Sequence, residues 1–270
     1  MSWFCRKGGW PGVVFACLIF ASGCTNPAQT EQAPETNRFL ESFVADAMDW
    51  PERIIEDSND TFMRKDNLTA LLLAGGASIA MHNSEADDNI AGSFERHKVF
   101  NGFIDESFNV IGSPGTHFAV TGLWYALSAD KQDEFNRERA WTMMTALAVD
   151  GLVTVGLKAI RDNHTPNGHK WAWPSGHTSS SFTVASVLDE YYGREVGIPA
   201  YCLASLVALR MMDTGDHWAS DVVFGATLGW VVGHTIAGKH KQLEIAGFKV
   251  LPYTGNVFEP AIGVGLVRRF

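Results

Sequence analysis

Cysteine is nearly missing from the body of this 270-residue sequence. Cys5, Cys17 and Cys24 fall in the first 24 residues, and Cys202 stands alone in the rest. A disulfide framework is therefore excluded for the folded part. The apolar setting Tyr201-Cys-Leu-Ala predicts that Cys202 is a small buried residue. Positive charge is also scarce. Twenty-one Lys and Arg stand against 30 Asp and Glu, for a net charge of −9. A surface for nucleic acid needs clustered cations, so a polyanion partner is excluded. No glycine-rich nucleotide loop, zinc-finger spacing or internal repeat occurs. No uninterrupted apolar run reaches the roughly 20 residues of a membrane-crossing helix. Asp150, Arg210, Asp221 and His234 interrupt the candidates, which favours a globular bundle over a set of membrane spans.

What is present is an ordinary globular composition, 46% apolar and 19% charged, enough for one large core. The N-terminus reads as an address. Arg6 and Lys7 precede the short apolar stretch Val13 to Phe20, which runs into Ala21-Ser22-Gly23-Cys24. This pattern predicts an export signal over 1–23. Its end resembles a bacterial lipoprotein cleavage site, which implies lipidation of Cys24, although Ala21 replaces the usual Leu. The segment 24–38 is polar, contains Pro27 and Pro34, and predicts a flexible tether. The lack of Asp after Cys24 points to the outer membrane, facing the periplasm or cell surface.

Helical spacing of apolar residues predicts six to eight helices in an all-α domain over 39–243. Candidates run over 39–55 (broken at Pro51), 68–81, 117–127, 138–160, 178–192, 199–212 and 217–237, with 83–98 as a polar loop. Residues 244–270 alternate Ile262, Val264 and Leu266 with small residues, and predict a short C-terminal β-hairpin turning at Tyr253-Thr-Gly-Asn.

Chemistry concentrates between residues 158 and 221. Lys158-Ala-Ile-Arg161-Asp-Asn-His164-Thr165-Pro166 ends a long helix, Pro174-Ser175-Gly176-His177 opens another, and Arg210 precedes His217 and Asp221. His217 and Asp221, four apart, share a helix face. The carboxylate can fix the imidazole tautomer and leave the other nitrogen free to attack. Gly225, Gly229 and Gly233 continue that stripe and predict a closely packed neighbouring helix. Backbone N–H groups at Ser175 and Gly176 form an anion site at a helix start. His177 beside it can donate a proton, and Lys158 and Arg210 add positive charge. No metal-ligand set accompanies them. Two histidines, two cations and a helix N-terminus suit phosphoryl transfer through a phosphohistidine.

These motifs resemble the type 2 phosphatidic acid phosphatase superfamily, which includes bacterial acid phosphatases and vanadium haloperoxidases. The resemblance covers residues 140–238 and implies a helical bundle. It makes His217 the nucleophile, Asp221 its orienter and His177 the proton donor to the leaving oxygen. Lys158, Ser175, Gly176 and Arg210 hold the phosphate. Three features depart from the pattern: Thr165 stands where the family has Arg, Leu209 replaces the Ser before Arg210, and six residues rather than five separate Arg210 from His217. Arg161, one turn beyond Lys158, is a candidate substitute for the missing Arg. The resemblance implies a metal-independent phosphomonoesterase, acting on a lipid or soluble phosphate ester outside the cytoplasm without a cofactor, with vanadate as inhibitor. The alternatives are a vanadium-dependent haloperoxidase, in which vanadate is the cofactor, and a degenerate phosphate-binding lipoprotein.

Fatty-acid labelling tests the address. The wild type is expected to take up label through Cys24, because stable anchoring needs two acyl chains, and Cys24→Ser is expected to take up none. Equal labelling of both would refute lipidation.

Overall fold

A computed structural model describes residues 35–241, together with the backbone of strand residues 243–245, 248–254 and 262–267. The expected signal over 1–23, Cys24 and most of the tether lie outside the described residues. Residues 35–38, expected to belong to that tether, are already helical.

Nine helices are described: α1 (Glu35–Phe62), α2 (Lys65–Asn83), α3 (Ala86–Arg96), α4 (Gly102–Gly112), α5 (Pro114–Asp130), α6 (Glu134–Arg161), α7 (Gly176–Tyr192), α8 (Arg194–Asp213) and α9 (Ala219–His240). The expectation of a helical domain stands, with two helices more than the pattern showed. The supposed polar loop 83–98 contains α3, and α4 was not anticipated. Both are only 11 residues long, too short for their pattern to stand out from the loops around them. Pro51 and Pro199 lie inside α1 and α8 without ending them. Beyond α9 the backbone forms three antiparallel strands rather than a two-stranded hairpin: β1 (Leu243–Ile245), β2 (Phe248–Thr254) and β3 (Ile262–Val267), in the order β1-β2-β3. Tyr253 and Thr254 sit in β2, paired with Gly263 and Ile262.

The core is built around α6, α7 and α9. Leu147, Val149, Val187, Leu228, Val232 and Ile236 meet there, fully buried. The glycine stripe explains how tightly the last two pack. A Cβ at Gly225 would lie 2.7 Å from the Ser175 carbonyl oxygen, one at Gly229 would fall on the Ser179 carbonyl, and one at Gly233 would lie 2.6 Å from the Thr183 carbonyl. Backbone meets backbone along the whole seam. Short hydroxyl residues on α7 are the matching half, with Ser175, Ser179 and Thr183 all wholly buried.

Two helices, Glu134–Arg161 and Arg194–Asp213, are long and apolar enough to cross a membrane by length and composition. The charges that argued against this turn inward. Asp150 accepts a hydrogen bond from the buried Ser179 hydroxyl, and Arg210 is 7% exposed. The outer faces are left apolar: Leu152, Val155 and Ile160 on α6, and Ile198, Leu203, Leu206 and Leu209 on α8 are exposed. Cys202 lies on that α8 face and is exposed, not buried.

Replacing Gly229 by Ala drives a methyl group into α7 backbone that cannot rotate away. A loss of stability of at least about 1–3 kcal/mol is expected in denaturant unfolding. Gly151 on α6 has nothing within 4 Å of its missing Cβ, so Gly151→Ala serves as the control. It is expected to be neutral or to gain up to about 1 kcal/mol of helix propensity.

Candidate active site

The site forms where four helix ends converge: the last turns of α6 and α8 and the first turns of α7 and α9. The α9 start is the most constrained. His217 is not on α9, which begins at Ala219, so the expected shared helix face does not exist as such. It lies in the turn just before the helix, and its Nδ1 is 3.4 Å from Asp221 Oδ2. The same carboxylate oxygen accepts from the Trp218 backbone N–H at 3.0 Å, capping α9. Asp221 is completely buried. One carboxylate thus caps the helix and holds the imidazole by Nδ1, which leaves Nε2 to face a reactant.

Asp87 on α3 supports the same turn from behind. It is 2% exposed, and it accepts from the Ser220 N–H at 2.9 Å and the Ser220 hydroxyl at 2.5 Å. His82 Nδ1 lies 3.3 Å from it. Nothing local in the sequence marks Asp87, because its partner is 133 residues away.

At the start of α7, Ser175 has a different task from the one expected. Its N–H donates to the Asp221 carbonyl at 3.2 Å, and its hydroxyl pairs with Thr178 Oγ1 at 3.0 Å. Ser175 therefore joins α7 to α9 and does not supply its N–H to an anion. The first-turn N–H groups of Gly176 and His177 have no carbonyl four residues earlier within the helix, which makes them the candidates for anion binding. His177 is held neutral, its pKa pushed down to about 4, first by burial and then by the charges of His217 and Arg210. His117 on α5 contributes to the same effect. Its own pKa is lowered to about 4 by burial.

The cations divide. Lys158 donates to the carbonyls of Trp171 and, at 3.2 Å, Ala172. Burial lowers its pKa to about 8, and Asp221 partly offsets this. Lys158 is accordingly near the Asp221 carboxylate and still mostly charged at neutral pH. Arg210 is bound by two carboxylates, Nε to Asp105 on α4 at 2.7 Å and an Nη to Asp216 at 2.7 Å. It is buried in the site's wall, close enough to act on His177. Asp105 and Asp216 were both missed from sequence. Asp216 also accepts from the Asn167 amide at 2.9 Å, tying the loop after α6 to the loop before His217. The extra residue between Arg210 and His217 belongs to this tied loop.

Thr165 does not replace an Arg. It is 8% exposed; its hydroxyl donates to Asn167 and accepts from the His169 N–H at 2.9 Å. It closes its own loop. Arg161 lies over the Trp173 ring, 5.2 Å from its centroid, a cation–π contact rather than a bond to a neighbouring carboxylate. His164 gives its carbonyl to Trp218 Nε1 at 2.8 Å. Among the described residues no group of three or more His, Cys, Asp or Glu is placed to hold a metal ion.

The decisive comparison is with protein families. The model of the PAP2 superfamily matches residues 82–243, more than half of the chain. The chain belongs to the PAP2 superfamily. A lipid A 1-phosphatase from Porphyromonas gingivalis is 35% identical over 65 residues, 23% of this chain and 15% of that protein. The match thus spans about a seventh of that relative's length. Among solved structures, a transmembrane PAP2-type phosphatidylglycerolphosphate phosphatase from Bacillus subtilis superposes with a TM-score of 0.55. It covers 64% of this chain and 94% of that one, at 18% identity. LpxE of Aquifex aeolicus gives 0.44 over 55% of this chain and 90% of that one, at 21% identity. The Bacillus structure supports the helical fold.

The neutral histidines make acid stability a test of this environment. Their folded pKa values lie near 4 against 6.5 in the unfolded chain. The unfolded state therefore binds more protons between those limits. The histidines' contribution is full above about pH 6.5 and is lost as pH drops toward about 4. Asp150 opposes it, because burial raises its pKa to about 7 and the folded state holds its proton over the same window. The wild type is expected to lose melting temperature modestly as pH falls. His177→Gln is expected to lose less, and an identical slope would show that His177 is not held neutral.

Proposed function

We propose that this PAP2 member is a membrane-associated phosphomonoesterase that cleaves lipid phosphate esters through a phosphohistidine on His217. The observation that carries this is the Asp221 carboxylate. It fixes His217 by Nδ1 while also capping α9, beside the first turn of α7 and its His177. His217 Nε2 attacks phosphorus, the ester P–O bond breaks, and His177 gives its proton to the departing oxygen. Water then attacks the phosphohistidine with His177 taking its proton, and phosphate leaves. In the empty site His177 is neutral, so it needs the negative charge of a bound phosphate to regain the proton it donates. Lys158, Arg210 and the Gly176 and His177 N–H groups stabilise the transferring group. No metal or other cofactor enters these steps.

Lipid substrates are supported by the exposed apolar faces of α6 and α8. The two named phosphatases among the comparisons act on lipid phosphates by their printed descriptions. Lipidation at Cys24 and a position outside the cytoplasm, at the outer membrane, belong to this proposal.

A second possibility has its own observation. Arg210 is bonded to two carboxylates, and the Thr165 position supplies no guanidinium. A chain so depleted of free cations suits a phosphate-binding protein with little turnover.

Rapid quench with radiolabelled nitrophenyl phosphate separates the two. An acid-labile, base-stable phosphoprotein is expected in the wild type and absent from His217→Ala. Activity is expected to survive EDTA and to fall with vanadate. Phosphate binding without phosphoprotein or turnover would establish the second reading. Activity lost to EDTA would overturn the metal-free mechanism.

A further inference from the structure

A largely apolar groove of about 320 Å³ lies between α5, α7 and α8. Its near end is Ser181, four residues after His177 on α7. Its lining includes His117, which is close enough to His177 to influence its charge. From there it follows α7 past Ser181, Val184 and Ala185 to Leu188. Leu188 lies eleven residues beyond His177 on one helix, about 16 Å along the axis. The facing wall is α8, where small Ala200 and Ala204 leave the space open. Gly112 and the last turn of α4 close the near end, with the Ser180 hydroxyl at 3.5 Å from the Gly112 carbonyl.

A second observation at the groove points to a ligand. His117 Nδ1 is buried and has no hydrogen-bond partner. An orphaned buried nitrogen of this kind is costly unless something arrives to bind it. A largely apolar groove whose few polar groups include the unpartnered His117 Nδ1 and Ser181 Oγ at its near end matches a molecule with an apolar tail and a polar linkage next to the phosphate.

We infer that this groove is the leaving-group subsite: it takes one alkyl or acyl chain of the lipid phosphate, and His117 Nδ1 hydrogen-bonds the first polar group beyond the ester oxygen. The groove's Ser181 lies one helical turn beyond His177 on α7 and shares its face, so a chain lying in the groove runs toward the oxygen that His177 protonates. This assignment rests on the phosphatase reading above for its chemistry. It makes His117 a specificity residue, because it touches the substrate away from the reacting atoms.

The test uses the full-length protein in detergent and a series of alkyl phosphates from ethyl to hexadecyl, with nitrophenyl phosphate as the chain-free reference. For the wild type, kcat/KM is expected to climb by up to about fourfold per added methylene and to level off once the groove is full. Ala200→Phe, which fills the groove from α8, is expected to flatten that climb and leave nitrophenyl phosphate unaffected. An alkylglycerol phosphate is expected to be preferred several-fold over the alkyl phosphate of equal length, and His117→Phe to erase that preference. Binding of the matching alkyl phosphonates, read as a shift in melting temperature, covers the case of an inert protein. If nothing is hydrolysed but the shift grows with chain length in the wild type and not in Ala200→Phe, the groove stands and the phosphatase reading falls. If nitrophenyl phosphate is hydrolysed and neither rate nor binding depends on chain length, the phosphatase reading stands and the groove assignment is overturned. Chain-length dependence that persists unchanged in Ala200→Phe also overturns it.

Discussion

The backbone contact between α7 and α9 is the constraint on which the site depends. Three glycines of α9 rest on the carbonyls of Ser175, Ser179 and Thr183, so the two helices lie closer than side chains would allow. The first turn of α7 then reaches the first turn of α9, where the Ser175 N–H meets the Asp221 carbonyl. His177 stands in the first of those turns and His217 immediately before the second. A seam wider by one methyl group would separate His217 from His177, and a misplacement on the scale of an ångström is costly in catalysis.

Around that seam carboxylates act as fixings. Asp221 caps α9 and orients His217; Asp87 binds the next residue, Ser220, from α3; the partly exposed Asp216 and Asp105 hold Arg210 from two sides. The two fully buried ones, Asp221 and Asp87, each meet at least two polar partners, which is what makes buried negative charge tolerable. The net acidity of the chain is therefore partly internal. It serves to place cations and N–H groups, and the charges that interrupt the apolar sequence pattern are removed from the bundle's outer surface by the same pairings.

The long helices were legible in the sequence because they are long apolar stretches bounded by turn residues, and the close packing was legible because three glycines four apart have few other uses in a helix. The residues Lys158, His177, Arg210, His217 and Asp221 were legible because they fall in three local motifs. Asp87, Asp105 and His117 were not. Each acts on the site across more than 50 residues of chain, from helices whose short or mixed patterns carry no signature. Ser175 was assigned to the right place with the wrong task, because a sequence cannot show which acceptor a backbone N–H finds. Thr165 likewise invited comparison with an absent Arg, while its hydroxyl closes a loop that spacing alone does not reveal.

The groove beside α8 divides the molecule by how freely it can vary. On the α9 side of α7 the partners are main-chain atoms, and nearly every substitution there disturbs the register of the nucleophile. On the α8 side they are side chains such as Ala200, Leu203 and Ala204, which can change size without moving the backbone. One helix thus has a rigid edge and an adjustable edge by construction. Under the proposed reading, changes along the second edge retune which chain is held, while the first keeps His177 and His217 in place.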